Sequence, residues 1–227
     1  MTNTRIVAMS IGWVALSASV ATAQDLSRYR EFQLGMSLVA VAQQAGITPD
    51  ARVLHQRPEL IQELMWLPPR IPGSPSQEDS VRKVVFSGYN GQLFRVVATY
   101  AQDRTEGMTA DDLVEAVSAK YGPATLPGTQ ITPPVSRAAR DNDKILASWE
   151  DSQYSLTLFR SSYLSTFGLV VLSKRLDALA RVAILEATLL DEQEAPQREI
   201  EREQNQTEEN RVRHQTARRV NKGTFRP

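Results

Sequence analysis

Residues 81–100, VRKVVFSGYNGQLFRVVATY, decide how this chain is read. Val81 to Phe86 and Leu93 to Tyr100 are rich in β-branched and aromatic residues, which suit a pleated, half-buried surface. Asn90-Gly91 sits in the connection. Both residue types tolerate the positive φ that a tight turn demands, so the stretch predicts an antiparallel hairpin.

Upstream, Leu38, Val41, Ala42 and Ala45 follow helical spacing. Ser37 is placed to cap that helix, Gly46 to end it, and Pro49 follows. Ala51 to Gln56 reads as a strand; Leu60 to Leu67 fits a strand or a helix. Pro68-Pro69, Pro72-Gly73 and Pro75 mark a loop. Downstream, Thr109-Ala110-Asp111-Asp112 caps a second helix and places acids at its positive end. Leu113, Val114, Val117 and Tyr121 form its apolar stripe, and Gly122-Pro123 stops it. A polar, proline-containing loop runs to about Asp143. Three strands follow: Ile145 to Glu150, Tyr154 to Arg160, and Phe167 to Ser173, the last nearly all apolar and so covered on both faces.

The fold class is therefore α+β, with two helix-plus-antiparallel-strand units at 24–103 and 104–175. Both run helix first and then about three strands, and the second is expected to be a diverged copy of the first. A long charged C-terminal helix or arm occupies 176–227. Leu176, Leu179, Val182, Ala183, Leu189 and Leu190 are expected to share its packing face. Beyond Asp191 the apolar residues nearly vanish, with Ile200 and Val212 isolated, and Pro196 either restarts or kinks the helix. Asp191 to Glu209 is acidic; Arg211, Arg213, Arg218, Arg219, Lys222 and Arg226 then follow with no acid among them. Such a segment cannot bury enough apolar surface to pack by itself, so it is a solvated helix or a disordered arm with a basic tip.

Met1 to Ala23 reads as a secretory signal peptide: Arg5, then an apolar run from Ile6 to Val20, then the small-x-small site Ala21-Thr22-Ala23. The alternative is an uncleaved anchor, but Ser10, Gly12, Ser17 and Ser19 dilute the run below a confident span. The expected location is periplasmic or secreted. The chain has 227 residues, with 26 basic and 26 acidic. This near-neutral balance gives no overall drive toward nucleic acid. Cysteine is absent, which excludes disulfides, thiol catalysis, cysteine–zinc sites and iron–sulfur clusters.

No catalytic, cofactor or metal residue is assigned. His55 and His214 lie far apart in the pattern, and neither has a partner at ligand spacing. Asp141-Asn142-Asp143 lacks the glycine and glutamate of a calcium loop. Ser80-Val81-Arg82-Lys83 fits S-x-x-K but falls at a strand start without companion motifs. Asp111-Asp112 and Glu150-Asp151 are explained by capping and turn formation, and no glycine-rich phosphate loop occurs. The expected activity is binding of another envelope macromolecule; the alternative is an exported hydrolase whose carboxylates converge only in the fold. The expected contacts with a protein or anionic partner are the six basic residues from Arg211 to Arg226, with Trp66, which precedes Pro68-Pro69, as an accessory.

Gly35-Met36-Ser37 and Gly107-Met108-Thr109 open the two helices, and Gly46 and Gly122 end them. In this the chain resembles two groups of small exported proteins: the lipoprotein subunit of the outer-membrane β-barrel assembly machinery and the tandem-repeat β-lactamase inhibitory proteins. The resemblance covers the arrangement of about 150 residues and implies a helix followed by an antiparallel sheet in a binding module without catalysis. Two departures are plain: no lipid-bearing cysteine follows the signal, and the disulfides of the inhibitory proteins have no counterpart.

Overall fold

A computed structural model describes residues 25–68, 79–127, 143–162, 166–224 and 226. The signal segment, most of the proline-rich loop, and Asp141-Asn142 lie outside the described residues. In chain order the elements are β1 (Arg28–Tyr29), β2 (Phe32–Gln33), α1 (Leu38–Ala45), β3 (Arg52–His55), β4 (Ile61–Trp66), β5 (Val81–Tyr89) and β6 (Gln92–Tyr100). There follow α2 (Gln102–Thr105), α3 (Ala110–Tyr121), β7 (Leu126–Pro127), β8 (Lys144–Glu150), β9 (Tyr154–Arg160), β10 (Phe167–Ser173) and α4 (Lys174–Thr224).

The β5–β6 hairpin turns on Asn90 (φ 48°) and Gly91 (φ 77°), the paired positive values of a two-residue primed turn. Asn90 also reaches sideways: its Oδ1 accepts from the Leu60 amide at 3.0 Å and so fixes the start of β4 against the turn. Residues 60–67 therefore resolve as a strand, because β5 supplies a ladder from Ile61↔Tyr89 to Trp66↔Val84.

Among the described residues, eight strands form one antiparallel sheet in the order β3-β4-β5-β6-β10-β9-β8-β7. Each half is a helix followed by a four-strand meander, and the halves meet where β6 and β10 pair, with Val97 opposite Val170. The fourth strand of the second half, β7, is two residues long and holds a proline, so it carries no periodicity to read. The small β1–β2 ribbon was likewise not expected; its turn contains Arg30 at φ 55°.

α1 and α3 pack on one face of the sheet over a shared core. α1 begins where the Ser37 hydroxyl accepts from the Ala40 amide at 3.1 Å. α3 begins with a reciprocal cap: Asp112 accepts from the Thr109 amide at 2.7 Å while Thr109 accepts from the Asp112 amide at 3.2 Å. α4 crosses the opposite face, where Leu176, Ala180 and Ala183 pack with Ile61 and Phe94.

The packing face of α4 differs from the expectation. Leu176, Asp177, Ala180, Ala183 and Ala187 are buried, whereas Leu179, Val182 and Leu189 are exposed. Small side chains let the helix axis approach the strands closely; the larger aliphatic residues lie on the outer side, where their volume meets no strand. From Thr188 onward nearly every residue is exposed, yet the helix runs unbroken through Pro196 to Thr224. Near Pro196, which has no amide proton to give, Arg198 donates back to the Asp191 carbonyl at 2.7 Å and pairs with its carboxylate at 3.1 Å.

Candidate functional site

Three features outside ordinary packing present chemistry: a cavity beneath α3, a groove beside α4, and the free length of α4.

The cavity has a volume of about 300 Å³. It exists because β1, the end of β6, α2 and α3 converge on side chains of unequal length. Tyr29, Tyr100 and Tyr121 stand together there, with Arg30 beside them. Arg30 is fixed by two parallel bonds to Asp79 at 2.6 and 2.7 Å, and the Arg30 guanidinium holds the Asp79 carboxyl below the usual carboxylate range. Tyr121 donates to the Arg28 carbonyl at 3.2 Å, and burial pushes its phenol up to about 12. Burial also raises Tyr29 and Tyr100 above the ordinary phenol range. The Tyr29 hydroxyl neighbours Tyr100 closely enough to temper that residue's rise, yet it has no hydrogen bond of good geometry within the protein.

The groove is larger, about 500 Å³, and lies between α4 and the β3–β4 edge of the sheet. Leu54, His55, Phe94, Ile184 and Leu185 line it, together with Arg95, Asp177 and Arg181. Asp177, a buried carboxylate, is paired to Arg181 at 2.5 Å. Arg95 bonds the Ser87 hydroxyl at 3.1 Å; burial lowers its pKa, opposed by Asp177 and Glu63. Farther along α4, Glu194 meets Arg57 at 2.8 Å and ties the β3–β4 turn to the helix.

The basic residues of the tail from Arg211 to Lys222 sit on the last turns of α4, and Arg226 follows just past its end. Arg211 pairs with Glu208 at 2.5 Å within the helix, while Arg213, Arg218, Arg219, Lys222 and Arg226 are exposed and face water. Trp66 lies far from them in the chain, half-buried at the end of β4, where it stacks on Phe86 (6.5 Å) and meets Phe32 edge-on (5.6 Å). Packing accounts for it. His55 faces the groove and His214 is exposed on α4, so the fold does not bring the two together.

The paired acids also have structural partners. Asp112 is the reciprocal cap of α3, and its carboxyl is held low by the Thr109 amide and hydroxyl. Glu150 pairs with Lys174 at 2.9 Å, and Asp151 accepts from the Gln153 and Tyr154 amides that form the β8–β9 turn. Asp143 accepts from the Ser162 amide at 3.1 Å. Among the described residues, no group of three or more histidine, aspartate or glutamate side chains is placed to hold a metal ion, and no helix is long and apolar enough to cross a membrane.

Sequence reading missed the tyrosine cavity because its residues come from six separated segments with no shared period. The one signal within the sequence was the run Tyr29-Arg30, with two bulky amphipathic side chains just ahead of α1.

No family model, curated protein or solved structure matches the chain.

Proposed function

We propose that this is a non-catalytic, exported binding protein that engages another macromolecule of the cell envelope through α4. The observation that carries the reading is the helix itself. Past the Glu194–Arg57 pair, nearly every residue from Ala195 to Thr224 is exposed, and at 1.5 Å per residue this stretch is roughly 45 Å long. A helix that is polar all round gains little from its own core; contact with something outside gives it a reason to persist. Its outer side near the sheet offers Val182 and Leu189, and its tip offers Arg213, Arg218, Arg219 and Lys222, with Arg226 just beyond. Near an anionic surface each basic residue is worth about 1 kcal/mol, so the tip supplies usable affinity for an acidic protein or envelope polymer.

Export is supported by the Met1–Ala23 pattern, and a periplasmic or secreted location follows from it. The two units are read as diverged copies of one ancestor. Supporting this are the mirror-like strand order about β6–β10 and the glycines at φ 92° (Gly35) and 78° (Gly107), each two residues before a hydroxyl-bearing cap. The resemblance to small exported helix-and-sheet binding proteins rests on those same residues.

Truncation after Leu190 tests the reading. The shortened chain should keep the melting temperature of the core and lose the partner recovered by in-cell cross-linking and co-purification. Recovery of the same partner at unchanged yield would overturn it.

A further inference from the structure

We propose that the cavity beneath α3 is a binding site for a small amphipathic carboxylate, of the medium-chain fatty-acid class. The site lies apart from α4 and does not rest on the arm as a binding element.

Three observations converge. The charged side chains in the cavity wall are Arg30, Arg104 and Lys120, and no aspartate or glutamate is among the lining residues. Two carboxylates stand just outside the wall: Asp79 is committed to Arg30 through both of its oxygens, and Asp103 lies 3.9 Å from the Arg104 guanidinium. The opposite wall is aliphatic: Leu113 and Val117 from α3 face Leu158 and Leu169 from the sheet. A ligand that satisfies both walls carries one anionic end and one apolar body.

The third observation is Tyr29. It is only 4% exposed, and its hydroxyl, beside that of Tyr100, makes no hydrogen bond of good geometry within the protein. A phenol both donates and accepts, and a buried hydroxyl without a partner destabilises the fold that holds it. Replacement by phenylalanine would remove that cost, so stability gives no reason for the oxygen. A carboxylate is acceptor-only and fits a lining that offers a phenolic donor beside cations. Tyr100 stands next to Tyr29 and offers a second phenol to the same acceptor. At the mouth, the Lys120 ammonium lies 5.3 Å from the centre of the Tyr121 ring, a cation held at the rim by an aromatic face.

The volume sets the size. At about 300 Å³ the cavity is at the small end of ligand sites, which suits a body of several methylenes and leaves no room for a nucleotide. The carboxylate end turns toward Arg30, Arg104 and the phenols, and the alkyl chain lies along Leu113, Val117 and Leu169.

Calorimetric titration of the full chain with octanoate, octanol and octylamine tests the proposal, with methyl NMR locating the contact. Octanoate should bind with a Kd on the order of 0.1 mM and shift the methyls of Leu113, Val117 and Leu169. Octanol, with the same body and no charge, should bind roughly tenfold more weakly, and octylamine more weakly still. Lys120→Gln and Arg104→Gln should each weaken octanoate several-fold. Tyr29→Phe should raise the melting temperature of the free protein while weakening octanoate. Equal affinity for octanoate and octanol, octanoate shifts confined to the groove beside α4, or no heat at 10 mM octanoate would overturn the proposal. Tyr29→Phe with unchanged octanoate affinity would remove the phenol from the site. Charge reversal of Arg218 and Arg219 should leave octanoate binding unaltered, so failure of the arm reading and failure of this one are separate results.

Discussion

The two helix-plus-sheet units solve the same packing problem with different fillings. Beneath α1 the space is full: Trp66 stacks on Phe86, Phe32 packs edge-on to Trp66 and tilted against Phe86, and Leu38 rests on the bare backbone of Gly88, where an added Cβ would lie 2.4 Å from Leu38 Cδ1. Beneath α3 the helix is one turn longer, twelve residues against eight, and its inner face ends on Tyr121 beside a cavity. Each helix starts from a side-chain cap and ends at a glycine of positive φ, Gly46 or Gly122. The difference therefore lies in what faces the sheet. An aromatic cluster makes one half a rigid foundation, while aliphatic and phenolic side chains leave the other hollow.

The largest expected effect is on the filled side. Phe86 is fully buried, and Phe86→Ala should cost about 3–5 kcal/mol by chemical denaturation, because the surrounding rings cannot collapse into the gap. A loss below about 1 kcal/mol would mean that the aromatic cluster is not rigid. A paired truncation sharpens the contrast. Leu38→Ala and Leu113→Ala fall in the range of about 2–5 kcal/mol for buried leucine, with Leu113→Ala at the low end because its side chain already borders open space. Equal losses would argue that the two halves are packed alike. Gly88→Ala should cost about 1–3 kcal/mol, since Leu38 must leave its rotamer; Gly107→Ala meets no neighbour and pays only for its positive φ.

Titration distinguishes the halves in another way. Burial raises the folded pKa of Tyr29, Tyr100 and Tyr121 above the unfolded phenol value of 10. The stability held by their neutral forms is complete below pH 10 and is lost as pH climbs above it, toward about 12 for Tyr121. Phenolate absorbance should then appear together with unfolding; smooth titration at pH 10 in the folded state would refute the burial. Asp79 behaves in the opposite sense. Its folded pKa is depressed, so the stability from its pair with Arg30 is present above the ordinary value of 3.8 and is lost as pH falls below it. Asp79→Asn should flatten that acid limb. The smallest effects belong to the caps: Ser37→Ala and Thr109→Ala should each cost about 1 kcal/mol, with Thr109 the larger because its loss breaks a reciprocal pair.

How much of this was legible in the sequence follows from the range of each signal. The hairpin, the caps and the ends of α1 and α3 depend on residues within a few positions of one another, and the Asn90-Gly91 turn and the Thr109–Asp112 cap could be read directly. The strand at residues 61–66 could not be separated from a helix by its own residues; pairing with β5 decided it. The face of α4 was misread for a physical reason. Period alone rewards the largest apolar side chains, but the sheet selected the alanines at 180, 183 and 187, which permit close approach. The cavity lay beyond reading because it is assembled from Tyr29, Tyr100 and Tyr121, which no local pattern links. The charge blocks of the tail were plain, whereas their continuity as one helix through Pro196 was not.

That helix has a mechanical consequence. α4 begins at Lys174, directly after β10 ends at Ser173, with no loop between them, and β10 is one of the two central strands. A load applied at Arg218 or Arg219 travels down a stiff rod and arrives at the middle of the sheet instead of at an edge. It is borne first by the Leu176, Ala180 and Ala183 contacts on the strands and then by two ladders at once, β10 with β6 and β10 with β9. The protein is thus built so that a pull on its tip is shared between both halves of the molecule.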